Sequence, residues 1–204
     1  MLIKTIRTVC IAAAIAVTGA AHAAEVKIGF VTTLTTPAGV IGEDMKNSVE
    51  LALEHIGNKM ANLDVVLIME DDGFKPDIGK QKTDKLVKQD DVDFVAGYIW
   101  SHVLLASAKS VLDADKFLIS ANAGPSQMAG KRCDKNFFST SWQNDQTPMA
   151  MGDYLNQVGV KSIYVMAPNY AAGKDMVRGV ESTFKGEIKG KDLRHGAELR
   201  RRKG

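Results

Sequence analysis

"DVDFVAGYIWSHVLLASAKSVL", residues 91–112, passes from a predicted β-strand directly into a predicted α-helix. Its apolar start, with Phe94 and Val95, reaches Gly97 and has the length and composition of a buried strand. Apolar residues at helical spacing follow it, namely Leu104, Leu105, Ala108, Val111 and Leu112. Such strand-to-helix units build parallel α/β sheets. Between the two segments stand an indole, a hydroxyl and an imidazole: Trp100, Ser101 and His102.

The same alternation continues on both sides of this stretch. Apolar, β-branched runs predict strands at 26–34, 63–72, 92–99, 116–124 and 136–142. Amphipathic patterns predict helices between them, one from Glu43 to Asn62 and one starting at Pro76. After a polar break at 143–148, a helix from Met149, a strand at 161–168 and a helix around Val180 restart the pattern. We therefore predict an α/β protein with a doubly wound parallel sheet in a first lobe and an incomplete second α/β lobe.

The N-terminus has the pattern of a secretory signal peptide. Lys4 and Arg7 precede an apolar run, and Ala21 and Ala23 supply the small residues of a cleavage site. We predict cleavage after Ala23 and a periplasmic mature chain. Cys133 is then the one cysteine left, so we expect no internal disulfide.

Charge and motifs exclude several functional classes. The chain has 26 basic and 24 acidic residues, and the basic excess lies in the signal and in the last residues, 194–204. This distribution gives no support to nucleic-acid binding. The sequence shows no Ser/His/Asp cluster, no zinc-ligand spacing and no glycine-rich phosphate loop. We therefore expect no catalysis, no cofactor and no metal.

The loops that follow the strands are the expected ligand-binding region. In doubly wound sheets, ligands bind outside the carboxyl ends of the strands, where the connectivity changes side. At the start of its helix, Ser101 either caps the backbone or, with the helix N-terminus, favours an anion such as a carboxylate. Trp100 either lines a pocket or packs the helix against a neighbouring loop. His102 is expected to face solvent or the rim of the crevice. The loops concerned are 32–42, 71–76, 98–103, 121–127 and 168–174.

Four stretches together carry a family resemblance. They are "VKIGFVTTLTTPAGVIGEDMKNSVELALEHIG" (26–57), the opening stretch (91–112), "LISANAGPSQMAG" (118–130) and "APNYAAGKDMVRG" (167–179). Over about residues 24–190 the sequence resembles the substrate-binding proteins of branched-chain amino acid (leucine/isoleucine/valine) ABC transporters. This resemblance implies the type I periplasmic binding protein fold, a small-molecule ligand, an inner-membrane ABC permease as partner and a monomeric state.

The resemblance also implies ligand-binding residues. Ser101 matches a serine that holds the ligand carboxylate, and Tyr170 matches a tyrosine that reaches the ligand from the second lobe. Trp100 would shape the pocket, and it differs from the small residue of some relatives. Together with Ile41, it leaves an aromatic acid, an amide or another small carboxylate open as the ligand. The loop after the fourth strand would contribute Asn122, Ala123 and Gly124, with glycine where some members have threonine.

The predicted organisation has five parts. They are a signal peptide (1–23), an N-terminal lobe (24–142), a hinge crossover (143–147), the start of a second lobe (148–192) and a basic tail (193–204). Because family members are longer and the tail loses the apolar pattern, we expect a truncated product that binds its ligand weakly or not at all. A short protein with a basic tail is the alternative. A sensory binding module of the same fold is the alternative function, and an enzyme on a doubly wound sheet is disfavoured.

Overall fold

A computed structural model describes residues 25–194, which form eight strands and five helices. The predicted signal peptide and residues 195–204 of the predicted tail lie outside the described part. The strands are β1 Glu25–Thr32, β2 Lys59–Met60, β3 Leu63–Asp71, β4 Phe94–Gly97, β5 Phe117–Ser120, β6 Phe137–Ser139, β7 Ser162–Pro168 and β8 Glu187–Arg194. The helices are α1 Gly39–His55, α2 Pro76–Lys88, α3 Ser101–Leu112, α4 Gln146–Gln157 and α5 Ala171–Thr183.

The first lobe contains a six-stranded sheet in the order β2-β3-β1-β4-β5-β6. Every neighbouring pair is parallel except β2 and β3, which form an antiparallel hairpin. From β1 the chain adds β3 on one side and then crosses to add β4 on the other. The connectivity therefore changes side at β1, and the carboxyl ends of β1 and β4 flank the expected crevice. The predicted doubly wound α/β fold is confirmed.

The core of the first lobe lies between the central strands and the paired helices α2 and α3. Leu86 and Leu104 contribute from the helices and Val31, Val95 and Leu118 from the strands, all fully buried. Burial of each such side chain contributes roughly 1.5–3 kcal/mol. This packing fixes α3, and with it the position of the residues that begin that helix.

The turn from β4 to α3 has an unusual backbone. Gly97 has a φ of 108°, and a side chain there would overlap the carbonyl of Val31. Tyr98 follows with a φ of 63°, its N–H donating to the Val31 carbonyl at 2.7 Å. The Tyr98 ring is fully buried, and its hydroxyl lies 2.7 Å from the Thr83 hydroxyl. These contacts turn the chain sharply and direct the next residues toward the crevice.

Helix α1 ends earlier than the sequence pattern predicted. It stops at His55 rather than at Asn62, because Gly57 and Asn58 take φ values of 65° and 55° and break the helical path. The following residues form the β2–β3 hairpin, so Met60 is exposed instead of lying on the inner face. Helix α1 also begins earlier than Glu43, and α4 begins at Gln146, within the stretch predicted as crossover.

The second lobe has a two-stranded parallel sheet, β7–β8, with α5 packed on β7 and α4 packed on α5. The sequence pattern did not predict β8. Its residues "EIKGKDLR" have low strand propensity, and backbone pairing with β7 holds them extended. Leu193 and Arg194 pair with Ala167 and Pro168, so the strand runs past the boundary predicted at 192.

Candidate functional site

Aromatic rings from both lobes meet at the carboxyl edge of the first sheet. The Trp100 ring lies edge-on to Phe74 with centroids 4.6 Å apart, and 6.1 Å from the Tyr170 ring of the second lobe. His102 lies 5.0 Å from Phe74 and 5.4 Å from Tyr170 in the same edge-on manner. The strand-end loops of the first lobe thus face the start of α5 across an aromatic crevice.

A chain of hydrogen bonds fixes the Trp100 indole. Its Nε1–H donates to Thr33 Oγ1 at 2.9 Å. Because an indole nitrogen can only donate, the Thr33 hydroxyl accepts from Trp100, and its own O–H donates a hydrogen bond to Asp72 Oδ1. The Phe74 N–H donates to the same oxygen at 2.8 Å. Trp100 therefore packs the start of α3 against the neighbouring loop, which is one of the two alternatives predicted from the sequence. Its contact with a ligand stays a prediction.

Burial disfavours the charged forms of two side chains at the crevice, Asp72 and His102. Asp72 is fully buried, and this burial raises the pKa of its carboxyl although the Thr33 and Phe74 hydrogen bonds oppose the shift. Within residues 25–194 its Oδ2 has no hydrogen-bond partner. Burial likewise lowers the pKa of His102, against the opposing effects of the Phe74 carbonyl and of Asp72. Removing water from these groups makes their ionisation costly.

Ser101 is the first residue of α3, and Trp100 occupies the cap position with an extended backbone. No side chain caps this helix, so the capping interpretation of Ser101 is wrong. Instead its Oγ accepts a hydrogen bond at 2.9 Å from the side-chain amide of Asn144, in the crossover. Ser101 is 2% exposed, at the base of the crevice.

Asn122 and Ala123, at the start of the loop after β5, are tied to their own lobe. The Asn122 amide donates to the Ile99 carbonyl at 2.9 Å, and the Ala123 N–H donates to the Tyr98 carbonyl at 3.0 Å. The Ala123 carbonyl accepts from the Ser120 hydroxyl at 2.5 Å. These groups have protein partners in this structure, and a ligand role for Asn122 and Ala123 stays a prediction.

Gly124 is required by a close approach of two backbones. Its carbonyl accepts the Asn144 N–H at 2.8 Å, which brings the crossover against the loop. A side chain at this position would overlap the backbone carbonyl of Trp142. The close packing of the two backbones therefore requires glycine at position 124. The threonine hydroxyl that some family members have at this position is absent here for the same reason.

Tyr170 occupies the cap position of α5 and projects from the second lobe. Burial raises the pKa of its phenol, so it stays protonated and can donate a hydrogen bond. The structure thus brings the Trp100 and Tyr170 rings to one crevice, with Ser101 buried next to Trp100 in the chain. Gly124 lies against the crossover, while Asn122 and Ala123 lie against the β4–α3 turn.

Sequence reasoning missed several residues of this site. Asp72 stands in the predicted crevice loop 71–76, where the acidic pair after the strand was a usable signal. Asn144 and Asp175 gave no such signal. The Asn144 amide lies 3.1 Å from Asp175 Oδ2, a contact between the crossover and α5 that only the docking of the lobes creates.

The remaining features of residues 25–194 that bear on function concern metal-ligand clusters, membrane-spanning helices and free thiols. Residues 25–194 contain no group of three or more His, Cys, Asp or Glu side chains placed to hold a metal ion. Over the same range, no helix is both long enough and apolar enough to cross a membrane. Cys133 is exposed as a free thiol.

Comparisons with known proteins give one consistent family. A family model described as "Periplasmic binding protein" matches residues 25–193. The Leu/Ile/Val-binding protein homolog 3 of Brucella melitensis is 30% identical over 193 residues, covering 92% of this chain and 50% of that protein. The chain thus spans about half the length of the curated relatives it matches.

Solved structures agree in fold. A solute-binding protein of an ABC transporter from R. palustris, in complex with benzoate, has a TM-score of 0.80 and 27% identity, covering 85% of this chain and 49% of that chain. The branched-chain amino acid transporter protein LivJ from Streptococcus pneumoniae, in complex with isoleucine, has a TM-score of 0.75 and 19% identity, covering 85% and 50%. The matched proteins are binding proteins and not enzymes.

Proposed function

The chain belongs to the periplasmic binding protein family, and from this membership we propose that it is a solute-binding component of an ABC importer. Its ligand is a branched-chain amino acid or a related small carboxylate, held in the crevice between the two lobes. The protein acts in the periplasm and delivers the ligand to an inner-membrane permease. It performs no chemistry on the ligand.

The observation that carries this proposal is the placement of Ser101. It begins α3 at the point where the sheet connectivity changes side. The rings of its two neighbours, Trp100 and His102, lie 6.1 Å and 5.4 Å from the Tyr170 ring of the other lobe. The first amides of α3 that donate within the helix are those of Val103 and Leu104, both to the Trp100 carbonyl at 3.0 Å. The Ser101 and His102 amides precede this pattern, and a helix N-terminus of this kind favours a carboxylate.

Ligand binding would shift the lobes toward the closed arrangement. The crossover around residues 141–147 links the lobes and is the candidate hinge. A ligand favours closure only through contacts that are better in the closed state. Here such contacts would join Ser101 of the first lobe to Tyr170 of the second through the ligand.

An aromatic acid is the second candidate ligand, because the crevice is lined with rings. Phe74, Trp100 and Tyr170 offer edges and faces suited to a flat aromatic ligand. The benzoate complex of the R. palustris protein, which is similar to this chain, supports the same ligand class. A branched-chain ligand would instead use the same rings as an apolar wall.

Intrinsic fluorescence tests both ligands on the present chain. The sequence has two tryptophans, so Trp142→Phe leaves Trp100 as the reporter of the crevice. We expect a saturable change with leucine, isoleucine or benzoate and a weaker one with the matching amides. Affinity is expected near the millimolar range, about 4 kcal/mol, because the described residues offer the ligand few polar groups.

Two serine variants complete the test. Ser101→Ala should weaken acid binding about tenfold or more, as expected on losing a hydrogen bond to a charged group. Ser48→Ala, on an exposed position of α1, is the matched control and should leave affinity unchanged. The proposal fails if no acid gives a saturable signal up to about 10 mM, or if the two serine variants behave alike.

A further inference from the structure

The crossover residue Asn144 joins the two lobes through one side-chain nitrogen. Its Nδ2 donates to Ser101 Oγ at 2.9 Å and to Asp175 Oδ2 at 3.1 Å. Asn144 is 4% exposed, and its backbone N–H is held by the Gly124 carbonyl at 2.8 Å. Both protons of the amide are therefore committed, one to each lobe.

Asp175 decides which way this amide faces. It is fully buried on α5, and its carboxylate also accepts the Ser126 N–H at 3.0 Å and pairs with Arg178. A carboxylate only accepts hydrogen bonds, so the nitrogen of Asn144, and not its oxygen, must face Asp175. The second proton of that nitrogen is then directed to Ser101.

The consequence falls on the Ser101 hydroxyl. A serine hydroxyl carries one proton and accepts through its oxygen. Within residues 25–194, the one side-chain hydrogen bond described for Ser101 is the bond that it accepts from Asn144. Its proton therefore remains available for an acceptor that enters the crevice.

We propose that Asn144 is a positioning residue which, oriented by Asp175, makes Ser101 a hydrogen-bond donor and so gives the site its preference for carboxylates over amides. This inference rests on the proposed function, since it concerns how the same site recognises its ligand. Ser101 touches the ligand, and Asn144 acts only through Ser101. Because Asp175 lies on the second lobe, closure of the lobes and orientation of the hydroxyl occur together.

Asn144→Asp tests the direction of the relay with a side chain of nearly the same shape. The new carboxyl lies against the buried Asp175 carboxylate, so the two side chains share one proton and no net charge is added. Its oxygen accepts a hydrogen bond from the Ser101 hydroxyl, so Ser101 loses its donor role toward the ligand. We expect the ratio of benzoate to benzamide affinity to fall about tenfold or more relative to wild type. A purely structural effect would lower both affinities together and leave the ratio unchanged, and that result overturns the proposal. Asn47→Asp, on the exposed side of α1, is the same substitution away from the crevice and should leave the ratio unaltered.

A measurement without ligand separates this proposal from the proposed function. In ¹⁵N NMR of the full chain, the side-chain amide protons of Asn144 should exchange slowly with solvent. Asp175→Asn should remove that protection, and the exposed control Asp153→Asn should keep it. Fast exchange in the wild type, or no response to Asp175→Asn, overturns the relay. If the wild type binds neither benzoate nor benzamide, the proposed function fails, and the exchange rates still decide whether Asp175 orients Asn144.

Discussion

Replacing Trp100 first by Phe and then by Ala tests directly how much its hydrogen bond and its ring contacts stabilise the crevice. Trp100→Phe keeps a ring between Phe74 and Tyr170 but removes the indole N–H that donates to Thr33 at 2.9 Å. Trp100→Ala removes the ring as well. The two variants separate the hydrogen bond from the aromatic packing.

The expected losses follow from these contacts. A net hydrogen bond of this kind contributes about 1 kcal/mol, so Trp100→Phe should lower the free energy of unfolding by about that amount. The edge-on pair with Phe74 at 4.6 Å contributes about 1 kcal/mol more, and the pair with Tyr170 at 6.1 Å contributes less. With the lost burial of a ring that is only partly enclosed, Trp100→Ala should cost about 3 kcal/mol, the low end for a tryptophan in a core.

Urea unfolding followed by far-ultraviolet circular dichroism measures these free energies without relying on the fluorophore that is removed. The matched control is Trp142→Phe, because the Trp142 side chain is 55% exposed and its loss should cost under about 0.5 kcal/mol. The reasoning is refuted if Trp100→Ala costs less than about 1 kcal/mol, or if it costs no more than the Trp142 control.

Three further outcomes are expected in the same unfolding assay. Gly124→Ala should cost at least about 2 kcal/mol, since the added carbon meets the Trp142 carbonyl, and a near-neutral result would contradict the close approach. Burial raises the pKa of Asp72, so its ionisation lowers the free energy of unfolding increasingly as pH rises above about 4. The stability of Asp72→Asn relative to wild type should therefore be higher at about pH 7 than at about pH 4, and the same relative stability at both pH values would contradict the raised pKa. Tyr98→Phe should cost roughly 1–2 kcal/mol, because the buried Thr83 hydroxyl loses its 2.7 Å partner, and an unchanged midpoint would show that this bond is not formed.

Local patterns along the chain predicted most of the strands and helices. The period of the apolar residues in 91–112 places Val95 and Leu104 on buried faces whatever the rest of the chain does, and both are fully buried. The α/β order then restricts the topology to few parallel arrangements. Pattern reasoning failed where one backbone angle decides, as at Gly57, which ends α1 before the apolar period does. It also failed at β8, where pairing with a distant strand outweighs a weak propensity.

The sequence by itself determined the fold class, the strand-to-helix turn at Gly97 and the placement of Trp100 and Ser101 at the edge of the sheet. Only the tertiary structure decided what these side chains contact. It replaced the expected cap by the amide of Asn144 and joined that amide to Asp175 on the second lobe. The physical reason is distance along the chain: burial periodicity and turn chemistry act between near neighbours, whereas a hydrogen bond between lobes exists only after both lobes have folded and docked.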